Sequence, residues 1–215
     1  MSYVTDSFDD EVTRLLMRGG VGLLPTDTIY GLSCRALDAA AVGKIHKLKD
    51  RSAHKPFIIL ISDIKMLDLL APPQNLSGAV GNRIAKRQVF GAGLSKESIE
   101  KYWPGAITLI FEMPSALEYL ARGTGSLAVR LPNYPELLDL INKTGPLIST
   151  SANLEGEQPV QSVPAAQRLF GDKLDFYVNA GNLDNPPSTL AVIKDGKLEV
   201  VRQGAVKIDK DKEEL

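Results

Sequence analysis

The sequence predicts a mixed α+β domain, with strands and helices interleaved along one chain. Short apolar runs at 21–24, 56–61 and 107–111 are too brief for helices and read as buried strands. Between such runs lie segments with helical spacing, such as Val42, Ile45 and Leu48 within 39–48. Asp195-Gly196, set between strand-like stretches at 189–193 and 198–202, is a hairpin signal. The 215 residues, 44% of them hydrophobic, are enough for one sizeable core. No internal repeat or shift in composition marks a linker, so 1–206 reads as one domain and 207–215 as a charged tail.

The remaining elements follow in order. Ser7 is placed to cap a first helix, with Asp10 completing a variant capping box. Phe8, Val12, Leu15 and Leu16 form its apolar face, and Gly19-Gly20 ends it. The strand at 21–24 stops at Pro25. The polar cluster PTDTIYGL (25–32) follows it, at the position where open α/β sheets place ligand groups. Helices are predicted at 63–70 and 77–88, with a Gly-containing loop at 90–95 and a short helix reaching Tyr102. Trp103-Pro104-Gly105 is a turn. A helix at 115–122 leads to a strand at 126–130 that ends in Arg130. Pro135 opens a helix that runs to 142. The strand at 147–149 runs into STSAN (149–153), and a helix at 163–170 precedes a strand at 176–178.

Charge is uneven. Between Lys44 and Lys55 lie five basic residues (Lys44, Lys47, Lys49, Arg51, Lys55) and one acid, Asp50, a formal +4 in a chain whose total is −1. Lys49 and Arg51 fall where a helix gives way to a loop that feeds a strand. Such a cluster marks an anion site or a solvated helix end, where cations suit the dipole. The pI near 6.2 gives no global case for nucleic-acid binding. Cys34 is the only cysteine, so there is no intramolecular disulfide and no thiolate metal cluster; it reads as a small buried residue. His46 and His54, without an H-E-x-x-H pattern, do not suggest a zinc site. Gly43-Lys44 lacks the rest of a Walker P-loop. GTGSLA (123–128) fits G-x-G-x-x-A but precedes a strand instead of opening a helix. The N-terminus is acidic and polar, unlike a signal peptide, and no apolar run approaches the ~20 residues of a membrane span. A soluble, cytoplasmic protein is expected.

STSAN gathers three hydroxyls and an amide after an apolar strand. Such a group suits phosphate or ribose, or simply a turn. Pro187-Ser188-Thr189 and Arg202-Gln203-Gly204 are ambiguous in the same way when taken singly. Taken together the motifs are PTDTIYGL, Lys49-x-Arg51, WPGAITLIF (103–111), SLAVRLP (126–132), Ser151-x-Asn153 and VVRQG (200–204). In this order they resemble the YrdC/Sua5 family, the threonylcarbamoyl-AMP synthases, over about residues 8–205. The chain is similar to the short YrdC-type form, without the C-terminal domain of longer members.

The resemblance implies a YrdC-like twisted mixed sheet flanked by helices around a positively charged cavity. It also implies a nucleotidyltransferase reaction: L-threonine, bicarbonate and ATP give threonylcarbamoyl-AMP and pyrophosphate. Partner tRNA threonylcarbamoyl-transferase proteins then modify adenosine 37 of tRNAs that read ANN codons, and weak RNA binding would be compatible with the cavity. Lys49, Arg51, Ser151 and Asn153 match the family's KxR…SxN signature, with Lys49 and Arg51 as the catalytic residues. The implied ATP contacts are Lys49, Arg51, Lys55, Thr108, Ser151, Asn153 and Arg202. Thr28, Ser149 and Ser188 would face threonine. Mg²⁺ would arrive bridging the phosphates, without a metal site of the protein's own, and Asp27 would be an outer helper. The chain departs from the family pattern at Ser52, Lys55, Leu60, Ser149-Thr150, Pro159, Pro187 and Gln203. Two other functions compete: an RNA-binding module that uses the basic concavity, and a related carbamoyl-adenylate-forming activity.

Overall fold

A computed structural model describes residues 1–49, 57–70, 99–113, 117–194 and 197–208. The chain opens with β1 (Tyr3–Thr5), α1 (Asp10–Met17), β2 (Gly22–Leu24), β3 (Gly31–Arg35) and α2 (Ala39–Lys49). Next come β4 (Ile58–Leu60), a 3-10 turn (Ile64–Met66), α3 (Leu67–Leu70), β5 (Ile107–Glu112), α4 (Glu118–Ala121) and β6 (Ser126–Arg130). Then follow α5 (Pro135–Thr144), β7 (Leu147–Ser151), α6 (Val163–Phe170), a 3-10 turn (Gly171–Lys173) and β8 (Phe176–Val178). A hairpin of β9 (Thr189–Lys194) and β10 (Lys197–Arg202) closes the series.

Ten strands make one sheet, in the order β1-β8-β2-β3-β7-β4-β6-β5-β9-β10. The pairs β1–β8, β2–β8, β4–β6 and β5–β9 are parallel and the rest antiparallel. The fold is therefore the mixed twisted sheet with helices that the sequence predicts.

Strand residues alternate between two faces. Leu23, Ile59, Leu109, Val129 and Ile148 point to one face, where α2 contributes Ala41, Val42 and Ile45 and α6 contributes Val163, Ala166 and Phe170. Leu24, Leu60, Leu147, Phe176 and Val178 point to the other. There α1 packs through Val12 and Leu16, and α5 through Leu137, Leu140 and Ile141. Each fully buried leucine or isoleucine contributes roughly 1.5–3 kcal/mol, so both faces stabilise the sheet. The second face carries the functional consequence. Its helices pack over the β8, β2, β7 and β4 side chains and leave the polar side chains of the neighbouring strands to a cavity.

Several predicted boundaries agree. The segments 126–130, 163–170 and 176–178 fall on β6, α6 and β8 residue for residue. Pro135 stands at the first turn of α5, which stops where Gly145 takes φ 82°, a value that favours glycine. Two expectations need correction, and one strand was not foreseen. The cap of α1 is Asp9, whose side chain accepts the Val12 amide, and not Ser7. The single helix predicted at 63–70 is a 3-10 turn that runs into one turn of α-helix. The polar N-terminus contains β1, paired in parallel with β8 through Tyr3↔Phe176, Val4↔Tyr177 and Thr5↔Val178. That partner lies far away in sequence, so local pattern could not reveal the strand. The helix expected at 77–88, the loop at 90–95 and the Asp195-Gly196 turn lie outside the described residues. Ile208, beyond the predicted domain boundary, is 9% exposed and packs in the core.

Asp9 ties β1 to α1. Its carboxylate accepts the Val12 amide at 3.0 Å, the Tyr3 hydroxyl at 2.7 Å and the Thr5 hydroxyl at 2.9 Å. Burial alone would raise its pKa, but the bonds from Tyr3, Val12 and Thr5 outweigh this and lower it. A depressed carboxylate stabilises the fold above its unfolded pKa, and that stability fades as pH falls through the lower folded value. Asp9→Ala is expected to lose about 1–2 kcal/mol at pH 7. Urea denaturation at pH 7 and again well below about pH 4, the ordinary carboxylate pKa, checks this: the gap from wild type should narrow in acid.

Candidate functional site

Among the described residues, the part of the second face that α1 and α5 do not cover is a cavity of about 260 Å³. Its floor follows from register. Ile58 of β4 stands opposite both Ser149 of β7 and Ala128 of β6, and Ala128 stands opposite Ile110 of β5. An apolar strip, Ile58-Ala128-Ile110, thus runs between hydroxyls. Ser149 and Ser151 stand at one side; Ser188, just before β9, and Arg202, on β10, stand at the other. Gly31 of β3 faces Ser149 so closely that a Cβ there would lie 2.4 Å from the Ser149 Oγ. Glycine is therefore what lets the Ser149 hydroxyl occupy the wall.

The turn between β2 and β3 supplies the next group. Thr26 Oγ1 accepts the amides of Thr28 and Ile29 at 3.1 and 3.2 Å and donates to the Ile29 carbonyl at 2.8 Å. This side-chain-closed turn directs Thr28 into the cavity. Arg130, at the end of β6, meets it: Nη1 donates to Thr28 Oγ1 at 3.0 Å and Nε to the Gly105 carbonyl at 2.9 Å. Nη2 pairs with Asp27 Oδ1, and the other Asp27 oxygen accepts the Asn133 amide at 3.0 Å. Burial lowers the pKa of the Arg130 guanidinium and Asp27 works against that shift. Asp27, expected to assist a metal, has both oxygens engaged by protein N–H groups.

On the far wall Ser188 Oγ and Thr108 Oγ1 lie 2.8 Å apart, and Arg202 Nη2 donates to the Ser188 carbonyl at 2.9 Å. The chain after β10 folds back onto this wall. The Ala205 amide donates to the Pro187 carbonyl at 2.8 Å, and a Cβ on Gly204 would come within 2.2 Å of that same oxygen. Near the first wall, Lys49 ends α2 with its Nζ 2.7 Å from the Ser151 carbonyl and 2.5 Å from Asn153 Oδ1. Ser151 Oγ donates to the same Asn153 oxygen at 2.7 Å, and Asn153 Nδ2 donates to the Glu157 carbonyl at 2.5 Å. Lys49 is only 4% exposed, so it is no solvated helix end.

Thr28, Ser149, Ser151, Ser188 and Arg202, named from separate stretches of sequence, therefore line one cavity. Thr108 is fully buried behind Ser188 and does not form part of the wall. Lys49 and Asn153 are held against Ser151. Arg51 and Lys55 lie outside the described residues. Sequence reasoning passed over Arg130 as a site residue. The available signal was an arginine ending an apolar strand, since a buried arginine requires partners. Tyr30 was passed over too; its hydroxyl donates to the Gly181 carbonyl at 2.9 Å and accepts the Ala180 amide at 2.8 Å, anchoring the chain that leads to Ser188. Cys34, fully buried on β3, is no part of the site, and burial raises its pKa.

A model of Sua5/YciO/YrdC proteins, described as telomere recombination, matches residues 14–204. The chain belongs to the Sua5/YciO/YrdC family. Within the family, the threonylcarbamoyl-AMP synthase of Coxiella burnetii is 33% identical over 177 residues, 81% of this chain and 86% of that protein. The fold of E. coli YciO matches with a TM-score of 0.74 at 21% identity, covering 96% of this chain and 98% of that one. P. abyssi Sua5, solved in complex with L-threonine, also has a TM-score of 0.74, at 24% identity over 94% of this chain. This chain spans 57% of the length of that protein. Among the described residues no helix is long and apolar enough to cross a membrane.

The Lys49 contacts predict a stability effect. Removing a buried ammonium leaves the Ser151 carbonyl and Asn153 amide short of a donor, at about 1–3 kcal/mol for each unmet group. Lys49→Ala is expected to lower unfolding free energy by about 2–4 kcal/mol, with Lys49→Arg losing less. Urea denaturation of the two variants beside wild type checks this; a loss below about 1 kcal/mol for Lys49→Ala contradicts it.

Proposed function

We propose that this chain is an ATP-dependent nucleotidyltransferase that forms threonylcarbamoyl-AMP and pyrophosphate from L-threonine, bicarbonate and ATP. One observation carries the reading: Thr28, Ser149 and Ser188 line a single cavity with two guanidinium groups, Arg130 and Arg202. That combination suits a small hydroxylated amino acid beside a polyphosphate. The Coxiella burnetii relative that carries the name threonylcarbamoyl-AMP synthase supports it.

The threonine carboxylate is accepted by Arg130, and the small hydroxyls of Thr28, Ser149 and Ser188 bond the rest of the amino acid. Thr108 orients Ser188 from behind. Once bicarbonate has carboxylated the amine with loss of water, a carbamate oxygen attacks the α-phosphorus of ATP. The bond from that phosphorus to the bridging oxygen breaks and pyrophosphate leaves. Such a displacement needs positioning and charge more than a covalent nucleophile. Arg202, Lys55 and Arg51 contribute positive charge, and Lys49 acts through the Ser151–Asn153 turn that it holds.

Among the described residues the cavity lining has no carboxylate, and no cluster of three or more His, Cys, Asp or Glu forms a metal site. This donor set fits a Mg²⁺ that would come with the phosphates, and the Ser149 and Ser151 hydroxyls, which line the cavity, would be the protein groups available to it. Bound there, the ion would neutralise phosphate charge. The product is a labile mixed anhydride, made in the cytoplasm for partner proteins that transfer its threonylcarbamoyl group to tRNA.

The test is mass spectrometry of a reaction holding threonine, bicarbonate and ATP–Mg²⁺. The adenylate should form only with all components present. In parallel, ATP–Mg²⁺ at about 100 times its Kd should add ~2.7 kcal/mol of stability, a Tm rise of roughly 5–11 °C. Absence of both adenylate and thermal shift overturns the assignment.

A further inference from the structure

The pairing of Asp27 with Arg130 takes no part in bond making or breaking in the proposed reaction. Arg130 is 4% and Asp27 14% exposed in their side chains, so the two charges meet largely out of water. Burying an ion pair is costly and seldom a source of stability in itself. The contacts point to what the pair accomplishes. Among the described residues three of the five guanidinium N–H groups have partners: Nε on Gly105, one of Nη1 on Thr28, and one of Nη2 on Asp27. The two that remain sit one on each terminal nitrogen, the number that a carboxylate accepts in a two-bond contact. Asp27 itself does not line the cavity, and the Asn133 amide fixes its second oxygen.

We propose that Asp27 is a positioning residue for the amino-acid subsite: it holds the Arg130 guanidinium so that its last two N–H groups meet the substrate carboxylate. This rests on the reading of the cavity as an amino-acid site. Asp27 has a second effect. Its charge cancels that of Arg130, so a small anion approaching the subsite meets a neutral pair. Recognition then depends on the planar, two-oxygen shape of a carboxylate and not on charge alone. Chloride and sulfate are poor competitors, and amino-acid affinity is insensitive to salt.

The experiment compares wild type, Asp27→Asn and Asp27→Glu. Kinetics are measured against threonine and against ATP at low and high sodium chloride, with calorimetric binding of threonine. Asp27→Asn removes the countercharge and frees Arg130 to recruit chloride. The KM for threonine should rise by about 10–100-fold, and should rise further with chloride, while the KM for ATP stays within about twofold. Asp27→Glu keeps the charge and moves the guanidinium by one methylene. It should raise the threonine KM without conferring salt sensitivity, and it carries the test if Asp27→Asn does not fold. A merely structural Asp27 would alter both substrates alike and bring no chloride effect; that result, or wild-type threonine KM in Asp27→Glu, overturns the proposal. If wild type binds no threonine, the amino-acid reading of the cavity falls and this inference with it. If wild type binds and both variants match it, only the role of Asp27 falls.

Discussion

Among the described residues two helices pack on one face of the sheet over only part of its width, and the site depends on that shortfall. α1 and α5 seal Leu24, Leu60, Leu147, Phe176 and Val178 into an apolar core. Farther along, β7, β6 and β5 expose the same side of the pleat. Alternation of side chains then forces Ser149, Ser151, Ala128, Arg130 and Ile110 to face the cavity, while Ile148, Val129 and Leu109 anchor the other face. A register slip of one residue on β6 would bury Ala128 and Arg130 in the larger core and turn Val129 to the cavity. Rigid strands set the wall, and polar side chains project from it without weakening either core.

Buried polar groups impose the second constraint. A hydroxyl or cation removed from water needs partners, and here the partners belong to the site itself. Thr26 and Thr28 close their own turn, Thr108 meets Ser188, and Arg130 binds Gly105, Thr28 and Asp27. Lys49 does the same for the Ser151–Asn153 turn. Apart from the Thr26–Thr28 turn, each network preorganises side chains that stand apart in sequence by tens of residues. On the proposed reading, the binding geometry is thus prepared before substrate arrives, as electrostatic positioning requires.

The basic stretch was legible as a concentration of charge, yet its meaning depended on burial. At one residue, Lys49, the structure excludes a solvated helix end: the side chain is buried and bonded to the SxN turn. Arg130 is the converse case. It stood in plain view at the end of an apolar strand, but only the fold brings Asp27, more than a hundred residues earlier, against it.

The sequence by itself determined the elements whose signals are local. Apolar alternation and run length marked β6 and β8, helical spacing marked α2 and α6, Pro135 marked the start of α5, and the ordered motifs marked the family. Hydroxyls following apolar strands were visible for the same reason, because strand period and turn chemistry act over a few residues. What depends on long-range pairing was not visible. β1 exists through β8, Asp9 displaces Ser7 as the cap where it also binds Tyr3 and Thr5 of β1, and Thr108 retreats behind Ser188 because β5 and β9 are neighbours. Only the tertiary structure decided which polar residues share the cavity. Their meeting depends on strand order and register, set by burial of the apolar faces across the whole sheet.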